Sequence, residues 1–302
     1  MIFKKITLIF LKIAELLSMA PQDCGKLWNR MNRKRGRMQF RNTFVLSVSQ
    51  FLGEPSPTDY RTEMNRVLWQ IEHEHFINRG YVYSSNFISD DDALEEFRRK
   101  NPSLATEPRI VKFRSGRYVR NWVGNVVAVG NSVGFVEPLE ATALQIICVQ
   151  ISSLADSLID CVCEPTPTLI GHYNRFSAQA WDDIRDFLAV HYAFNTRLDT
   201  PFWVACRNDT QLHGAQPLVD FYRENGPSVV YGPQLLHSSN SFGMDGYLTL
   251  LLGQNVPHEK PYHCPPKEGE LWRNRTAKWH HDAQRGLTVE ESLTSIRKHG
   301  FK

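Results

Sequence analysis

No G-x-G-x-x-G occurs anywhere in the 302 residues, so the strand–turn–helix fingerprint that cradles a dinucleotide pyrophosphate is absent from them. The six cysteines, Cys24, Cys148, Cys161, Cys163, Cys206 and Cys264, form no C-x-x-C pair, and Cys161-Val-Cys163 is spaced too tightly for a structural zinc site. Thiols of this pattern read as reduced and structural, which suits the cytoplasm. No uninterrupted apolar run reaches the roughly 18 to 20 residues of a membrane span. Neither sign of charge dominates: 35 basic against 32 acidic residues leave a net charge of +3, too little to imply nucleic acid or a membrane surface. A small-molecule partner is what this balance leaves open.

What is present is a 42% hydrophobic, 22% charged chain, the make-up of a soluble globular protein with one large domain or two smaller ones. Near the amino terminus Lys4 and Lys5 precede an apolar run, and Ser18-Met19-Ala20 resembles a cleavage site, but Lys12 and Glu15 interrupt the run and Pro21 follows it. An amphipathic or poorly ordered leader is the preferred reading over a secretion signal. The cluster from Arg30 to Arg41, with Arg33, Lys34, Arg35 and Arg37, has the density of a nucleic-acid patch but reads more simply as a solvated face. Gly53-Glu54, Pro55 and Pro57 then mark a boundary.

From Gly80 the pattern becomes regular. Tyr81 to Ser85 has strand propensity, and Ser89 followed by Asp90, Asp91 and Asp92 predicts a helix over Ala93 to Arg99, with Arg98, Arg99 and Lys100 closing it in accord with the helix dipole. Two strands are expected at Arg109–Arg114 and Tyr118–Val123, separated by Ser115-Gly116, and a turn at Gly124-Asn125 leads into a buried strand over Val126 to Val129. A glycine-bearing loop from Gly130 to Pro138 runs into a helix beginning near Glu140, whose buried face is expected to carry Leu144, Ile147, Ile151, Leu154 and Leu158. After Pro165 and Pro167 the chain reads as mainly helical, with Tyr173, Phe176, Ala180, Trp181, Ile184, Phe187, Leu188 and His191 on one face. Beyond about residue 255, Pro257, Pro261, Pro265 and Pro266 predict an irregular tail until a charged helix near Thr288.

The loop at 130–143 carries the chemistry. A helix start exposes unpaired amide donors and a partial positive charge, which favour an anion, and Gly130 and Gly134 would let the backbone approach a ligand closely. Read alone, Glu137 and Glu140 are more simply dipole-complementing residues of a first turn. His73, His75, His172, His191 and His237 fit no common metal-site spacing.

The run Gly124-Asn-Val-Val-Ala-Val-Gly130-Asn-Ser-Val-Gly134-Phe-Val-Glu137-Pro138-Leu139-Glu140-Ala-Thr142-Ala closely resembles the G-N-x-V-A-x-G … G-F-x-E-P-L-E-x-T signature of flavin-dependent halogenases, the tryptophan halogenase family. Gly80-Tyr-Val-Tyr-Ser-Ser-Asn-Phe-Ile-Ser89, Phe113-Arg-Ser-Gly116-Arg and Arg185-Asp-Phe … His191-Tyr192 … Thr200-Pro-Phe-Trp203 also look like family segments in family order, over about residues 57–255. The resemblance implies an α/β fold: the carboxyl-terminal part of a flavin-monooxygenase-like FAD domain, followed by a helix-rich unit. It implies oxidation of chloride or bromide by reduced FAD and oxygen, the reduced flavin coming from a separate flavin reductase. The oxidised halogen then passes to a small, electron-rich aromatic at a separate site.

By the same resemblance Gly130, Asn131, Val133, Gly134 and Ile146 lie against the flavin. Glu140 is the catalytic glutamate that positions or deprotonates at the substrate, and the backbone amides of Thr142 and Ala143 hold the halide. Ala143 stands where the tryptophan enzymes have glycine. The expected organisation is an unmatched leader over 1–56, a partial FAD and halide domain over 57–163, and a substrate-side helical unit with an irregular tail over 164–302. Residues 1 to about 50, matching nothing in the family, are expected to be dispensable for the fold. Nucleic acid, membrane and metal are not expected, and a homodimer stays open.

Three departures stand beside the resemblance. The glycine fingerprint and the family's catalytic lysine have no counterpart, which implies an amino-terminally truncated and impaired catalyst. The family's W-x-W-x-I-P motif aligns with Val67-Leu-Trp69-Gln-Ile71-Glu72, where only Trp69 and Ile71 match. Phe242-Gly-Met-Asp-Gly246-Tyr247-Leu-Thr-Leu-Leu-Leu-Gly253 replaces the segment that clasps indole, which argues against free tryptophan as substrate. The rival readings are a related flavin monooxygenase, which lacks the E-P-L-E-x-T loop, and a non-catalytic remnant.

Overall fold

β-Branched and aromatic residues build a five-stranded antiparallel sheet, and short segments around it carry the glycine loop. In a computed structural model of the chain, the structure describes residues 77–300 together with the strand segments 7–9, 43–51, 61–63 and 66–72. In chain order the strands are β1 (Thr7–Ile9), β2 (Thr43–Phe51), β3 (Arg61–Glu63), β4 (Arg66–Glu72), β5 (Ile77–Ser84) and β6 (Arg109–Arg114), and β3-β4-β5-β2-β6 is the order across the sheet. Helix α1 (Asp90–Lys100) covers it through Ala93 and Phe97, which pack on Tyr81 and Tyr83. Its start is as expected: the Ser89 hydroxyl accepts from the Asp92 N–H at 3.1 Å, the geometry of a helix cap.

Two expectations for the amino-terminal region meet the structure differently. Strand β2 is paired on both sides, Phe44 opposite Ser84 on β5 and opposite Phe113 on β6. Strand β1 adds in parallel to Val126–Ala128. Residues expected to be dispensable therefore supply a central strand, whose loss would leave two rows of backbone groups unpaired. The basic cluster, Cys24, the cleavage-like site, the Pro55–Pro57 boundary, His73 and His75 lie outside the described residues.

The expected strand Tyr118–Val123 is broken. Only β7 (Gly116–Arg117) and β8 (Trp122–Val123) are extended and paired, the first with β10 (Gly134–Phe135) and the second with β9 (Val126–Ala128). The reason lies in where the backbone bonds go. The Tyr118 N–H donates to the Val133 carbonyl at 2.8 Å, and the N–H groups of Asn121 and Trp122 both donate to the Asn174 side-chain oxygen, at 2.7 and 2.8 Å.

Helix α2 (Thr142–Asp160) exists where the periodicity placed it, but its buried stripe is Thr142, Ile146, Gln150 and Leu154. Leu144 is 52% exposed and Ile151 36%, so the expected face is corrected by about one position, with Ile147 and Leu158 only partly packed. Apolar residues lie on more than one side of this helix, so their spacing fits two stripes, and the true one contains a glutamine that hydrophobic matching skips. By length and composition Leu139–Asp160 also suffices to cross a membrane. A helix that packs against other elements through one stripe passes the same test.

Helix α3 (Pro167–Ala193) runs across α2 and sends Trp181, Ile184 and Leu188 into one core and Phe187 and Val190 into another. Of its expected face, Phe176 and His191 are only half-buried. The second core is closed by α5 (Gln216–Asn225), the single turn α6 (Gly232–Leu235) and α7 (Gly243–Gly253), through Leu218, Val219, Tyr222, Tyr247 and Leu251 among others, while α4 (Pro201–Asp209) packs Phe202 and Trp203 on Tyr192 of α3. The tail is helical earlier than expected. Helix α8 (Pro266–Gln284) precedes α9 (Val289–His299), because Pro266 sits in the first turn, where a missing N–H costs nothing. Thr288 and Glu291 cap α9 reciprocally, as its charge pattern suggested.

The corrected stripe is testable. Leu154→Ala should destabilise the protein by about 2 to 5 kcal/mol, whereas Ile151→Ala should cost less than about 1 kcal/mol because its side chain already meets solvent. Urea denaturation of both variants checks this; equal midpoints would mean that the stripe is misassigned.

Candidate functional site

The loop between β9 and α2 is anchored from beneath by one side chain. Gln150 is fully buried, its Oε1 accepts the Gly130 N–H at 2.7 Å, and its Nε2 donates to the Ser177 hydroxyl on α3 at 2.5 Å. Ser177 also receives the amide of Asn121, and Asn174, one turn earlier, clamps the backbone of residues 121 and 122. Loop, helix α2, helix α3 and strand β8 thus meet in one polar network. Arg117 on β7 adds a two-point bond to Asp182 on α3, at 3.0 and 2.8 Å.

The two loop glycines have a packing reason. Gly130 has φ +61°, and a Cβ there would stand 2.4 Å from Ile147 Cγ1; at Gly134 it would stand 2.9 Å from Trp181 Cε2. Their missing side chains make room for α2 and α3. Val133 and Ile146 are buried in the same core as Trp181 and Leu188, so these two side chains face the interior. Asn131 is half-buried, with an Oδ1 that has no partner among the described residues.

The start of α2 is shaped for an anion. Glu140 (φ 61°) and Ala141 (φ 51°) are consecutive left-handed non-glycine residues, each costing about 1 to 3 kcal/mol that the surroundings must hold in place. No side chain caps the helix, which follows directly on a single 3-10 turn over Leu139–Ala141, so the partial positive charge of its start is not offset by a capping group. Thr142 is buried and Ala143 half-buried. Beside them the Glu140 carboxylate lies 3.6 Å from His191 Nε2, and the neighbouring His191 imidazole holds its carboxyl below the usual range. His191 is itself fixed: its Nδ1 lies 3.1 Å from the Phe187 carbonyl, and the Phe187 ring stacks on Phe242 at 3.8 Å. The segment that departs from an indole clasp therefore serves as core, through Phe242, Met244, Tyr247 and Leu251.

Glu137, three residues earlier, is a different kind of carboxyl. It is buried, its Oε2 accepts from the Tyr192 hydroxyl at 2.5 Å, and its Oε1 has no partner among the described residues. Burial pushes it up to about 7. Burial and this carboxylate together raise the nearby Cys206 thiol to about 12, which makes it an inert thiol. Glu137 lines a cavity of about 560 Å³ that Glu140 does not border.

The structure thus groups Glu140, Thr142 and Ala143 at one helix start and sets Gly130, Asn131, Val133, Gly134 and Ile146 beneath and behind it. Sequence reading missed Gln150, Asn174, Ser177 and the role of His191. Their only trace was polar residues at core-facing helical positions. Among the described residues no three His, Cys, Asp or Glu side chains are placed to hold a metal. A helix start without a side-chain cap fits a halide, and a loop with an Asn131 oxygen unpartnered among the described residues fits the edge of a flavin. The described residues supply no cradle for its pyrophosphate.

The sequence profile of the tryptophan halogenase family matches residues 53–265. Tryptophan 7-halogenase RebH of Lentzea aerocolonigenes is 33% identical over 204 residues, 64% of this chain and 38% of the relative. Tryptophan 7-halogenase KtzQ of Kutzneria sp. (strain 744) is 39% identical over 162 residues, 53% of this chain and 30% of the relative. Among solved structures, MibH, described as a lathipeptide tryptophan 5-halogenase, superposes with TM-score 0.74 and 35% identity, covering 84% of this chain and 50% of its own. A tryptophan halogenase from Shewanella frigidimarina NCIMB 400 gives TM-score 0.74 at 25% identity, covering 86% and 52%. The chain thus spans half or less of the length of the curated relatives it matches and about half that of these structures.

The buried Glu137 makes stability depend on pH in a stated direction. Its folded value of about 7 lies above the model-compound 4.5, so its favourable contribution is complete below pH 4.5 and is lost as pH rises through 7. Between pH 5 and 8 the wild type should lose about 2.5 kcal/mol more stability than Glu137→Gln. Parallel denaturation curves across that range check it; identical pH slopes would mean the carboxyl is not perturbed.

Proposed function

The chain belongs to the tryptophan halogenase family, and from that membership we propose that its loop over Gly130 to Ala143 is the halide and proton-transfer part of a flavin-dependent halogenase acting on an electron-rich aromatic. The observation that carries this reading is a helix start without a side-chain cap beside an ionised glutamate held by a histidine. Bound reduced FAD with oxygen, delivered by a separate flavin reductase, supplies the oxidising equivalents that turn chloride or bromide into an electrophilic halogen. The amides of Thr142 and Ala143 hold the halide, and alanine in place of glycine keeps the donor. Glu140 takes the proton lost from the aromatic carbon as the carbon–halogen bond forms, and His191 fixes the carboxylate in place and keeps it ionised. Gly130, Asn131, Val133, Gly134 and Ile146 shape the loop along the flavin edge.

These 302 residues hold no G-x-G-x-x-G and no lysine in the family's catalytic context, so on this reading they do not by themselves supply the pyrophosphate contact or the lysine's role. On this reading the isolated chain binds FAD weakly and turns over poorly. The second reading, a non-catalytic remnant that keeps the fold, rests on the same absent motif. Soluble family relatives favour the cytoplasm.

The test joins a family amino-terminal segment bearing the glycine motif and lysine to this chain. With reduced flavin, oxygen and bromide the fusion should brominate an electron-rich aromatic. Glu140→Gln should lower the rate roughly 100-fold to 10,000-fold, because the amide keeps the shape but accepts no proton. Thr142→Pro, tolerated at a first helical position, removes one donor and should raise the half-saturating bromide about tenfold. A folded, flavin-loaded fusion indifferent to both changes would leave the remnant reading standing.

A further inference from the structure

Helix α2 turns an uncovered apolar side to solvent. Ile146, Gln150 and Leu154 hold it to the loop and to α3, and on the opposite side Leu144, Cys148, Ile151, Ala155 and Ile159 recur at the three-to-four spacing of one stripe. Leu144 is 52% exposed, Ile159 74% and Val162, just past the helix end, 83%. Cys148 and Ala155 are exposed too. No charged residue occurs from Thr142 to Ala155. Through Cys148 the stripe borders a groove of about 520 Å³, whose other wall is Leu169 and Phe176 of α3. A continuous apolar strip without a charge is a binding surface rather than a solvated face.

What covers the stripe follows from its place in the fold. It begins two residues after Thr142, so it continues outward from the loop that carries the candidate flavin contacts. The described residues give that loop no pyrophosphate cradle. A dinucleotide is one molecule, so the polypeptide that cradles its pyrophosphate must lie close to the loop and the first turns of α2. Strand β9, which leads into the loop, pairs in parallel with β1, and β1 is the edge of that sheet among the described strands. Parallel strands belong to sheets covered on both faces, and dinucleotides bind at their carboxyl ends, where this loop stands. MibH and the Shewanella halogenase superpose on 84% and 86% of this chain through only 50% and 52% of their own length. A second body of comparable size therefore accompanies this fold in both.

We propose that the stripe from Leu144 to Ile159 is the docking face for a dinucleotide-binding polypeptide, one that carries a G-x-G-x-x-G strand, turn and helix and completes the flavin site begun by the loop over Gly130 to Ala143. This rests on the reading of that loop as the flavin's. The contact is apolar and uncharged, as in permanent interfaces, and Cys148 lies within it.

The Cys148 thiol tests the docking without any turnover. In the full 302-residue chain alone, N-ethylmaleimide should label Cys148, as mapped by peptide mass spectrometry. Co-expressed with a family amino-terminal segment bearing the glycine motif, the chain should copurify with it as one complex that retains FAD on gel filtration. Labelling of Cys148 should then slow at least about tenfold while the exposed Cys264 reacts as before. The paired substitution Leu144→Glu and Ile151→Glu, at exposed positions, should leave the melting temperature of the chain unchanged and cut its capture by the segment at least about tenfold. Val230→Glu, 72% exposed in the loop before α6, should leave capture unchanged. If the separate polypeptides do not associate, the covalent fusion decides, because docking protects Cys148 there as well. Cys148 reacting as fast in complex and fusion as in the chain alone would overturn the docking face, and in a fusion that retains FAD would leave the loop reading standing. Cys148 protected in a fusion without flavin would keep the docking face and remove the loop reading. Capture indifferent to the paired substitution, or a chain that sediments alone as a dimer which that substitution dissociates, would also overturn the proposal.

Discussion

The buried amide of Gln150 is the constraint on which the candidate site rests. It satisfies the Gly130 N–H on one side and the Ser177 hydroxyl on the other, so the loop, α2 and α3 are placed by one group. A buried polar network rigidifies when every member is paired and costs several kcal/mol when one is not. Glycine at 130, with its positive φ and its contact with Ile147, is what lets the loop come down onto that amide. The position of Thr142 and Ala143 then follows from the first turn of the same helix that carries Gln150.

Two carboxyls three residues apart show how environment rather than sequence assigns chemistry. Glu140 reaches His191 from a half-exposed position and is held ionised. Glu137 points into the protein beside Tyr192 and is pushed up to about 7. The same residue type in the same short motif is thus held ionised in one place and, in the other, buried where it keeps its proton up to about pH 7. His191 and Tyr192 are neighbours on α3, so one helical turn sets both environments. Phe187, stacked on Phe242, holds that turn against the carboxyl-terminal core.

The helices after residue 166 therefore do more than surround the site. Asn174, Ser177, Trp181, Asp182, Leu188, His191 and Tyr192 all lie on α3 and meet, in order, β8, Gln150, Gly134, Arg117, the loop core, Glu140 and Glu137. One 27-residue helix is the template against which the signature loop is folded. Within a family whose members share the loop, substitutions on the face of α3 would tune the two carboxyls without touching the motif itself.

The start of α1, the cap at Ser89, the break before α3 and the start of α9 near Thr288 were legible in the sequence, because capping and turn chemistry act over three or four residues. The family signature was legible too, since it is a contiguous run of residue types. The stripe of α2 was not, because its apolar residues fit two faces and only contact with α3 selects the one bearing Gln150. The break at Tyr118 depended on a carbonyl 15 residues away and an asparagine more than 50 away. The tail helix α8 was hidden by prolines that in fact occupy its start. By itself, then, the sequence determined the local starts and stops and the family signature of the loop. Only the tertiary structure decided which glutamate faces His191 and which lies buried, because desolvation and hydrogen-bond partners are properties of what packs from elsewhere in the chain.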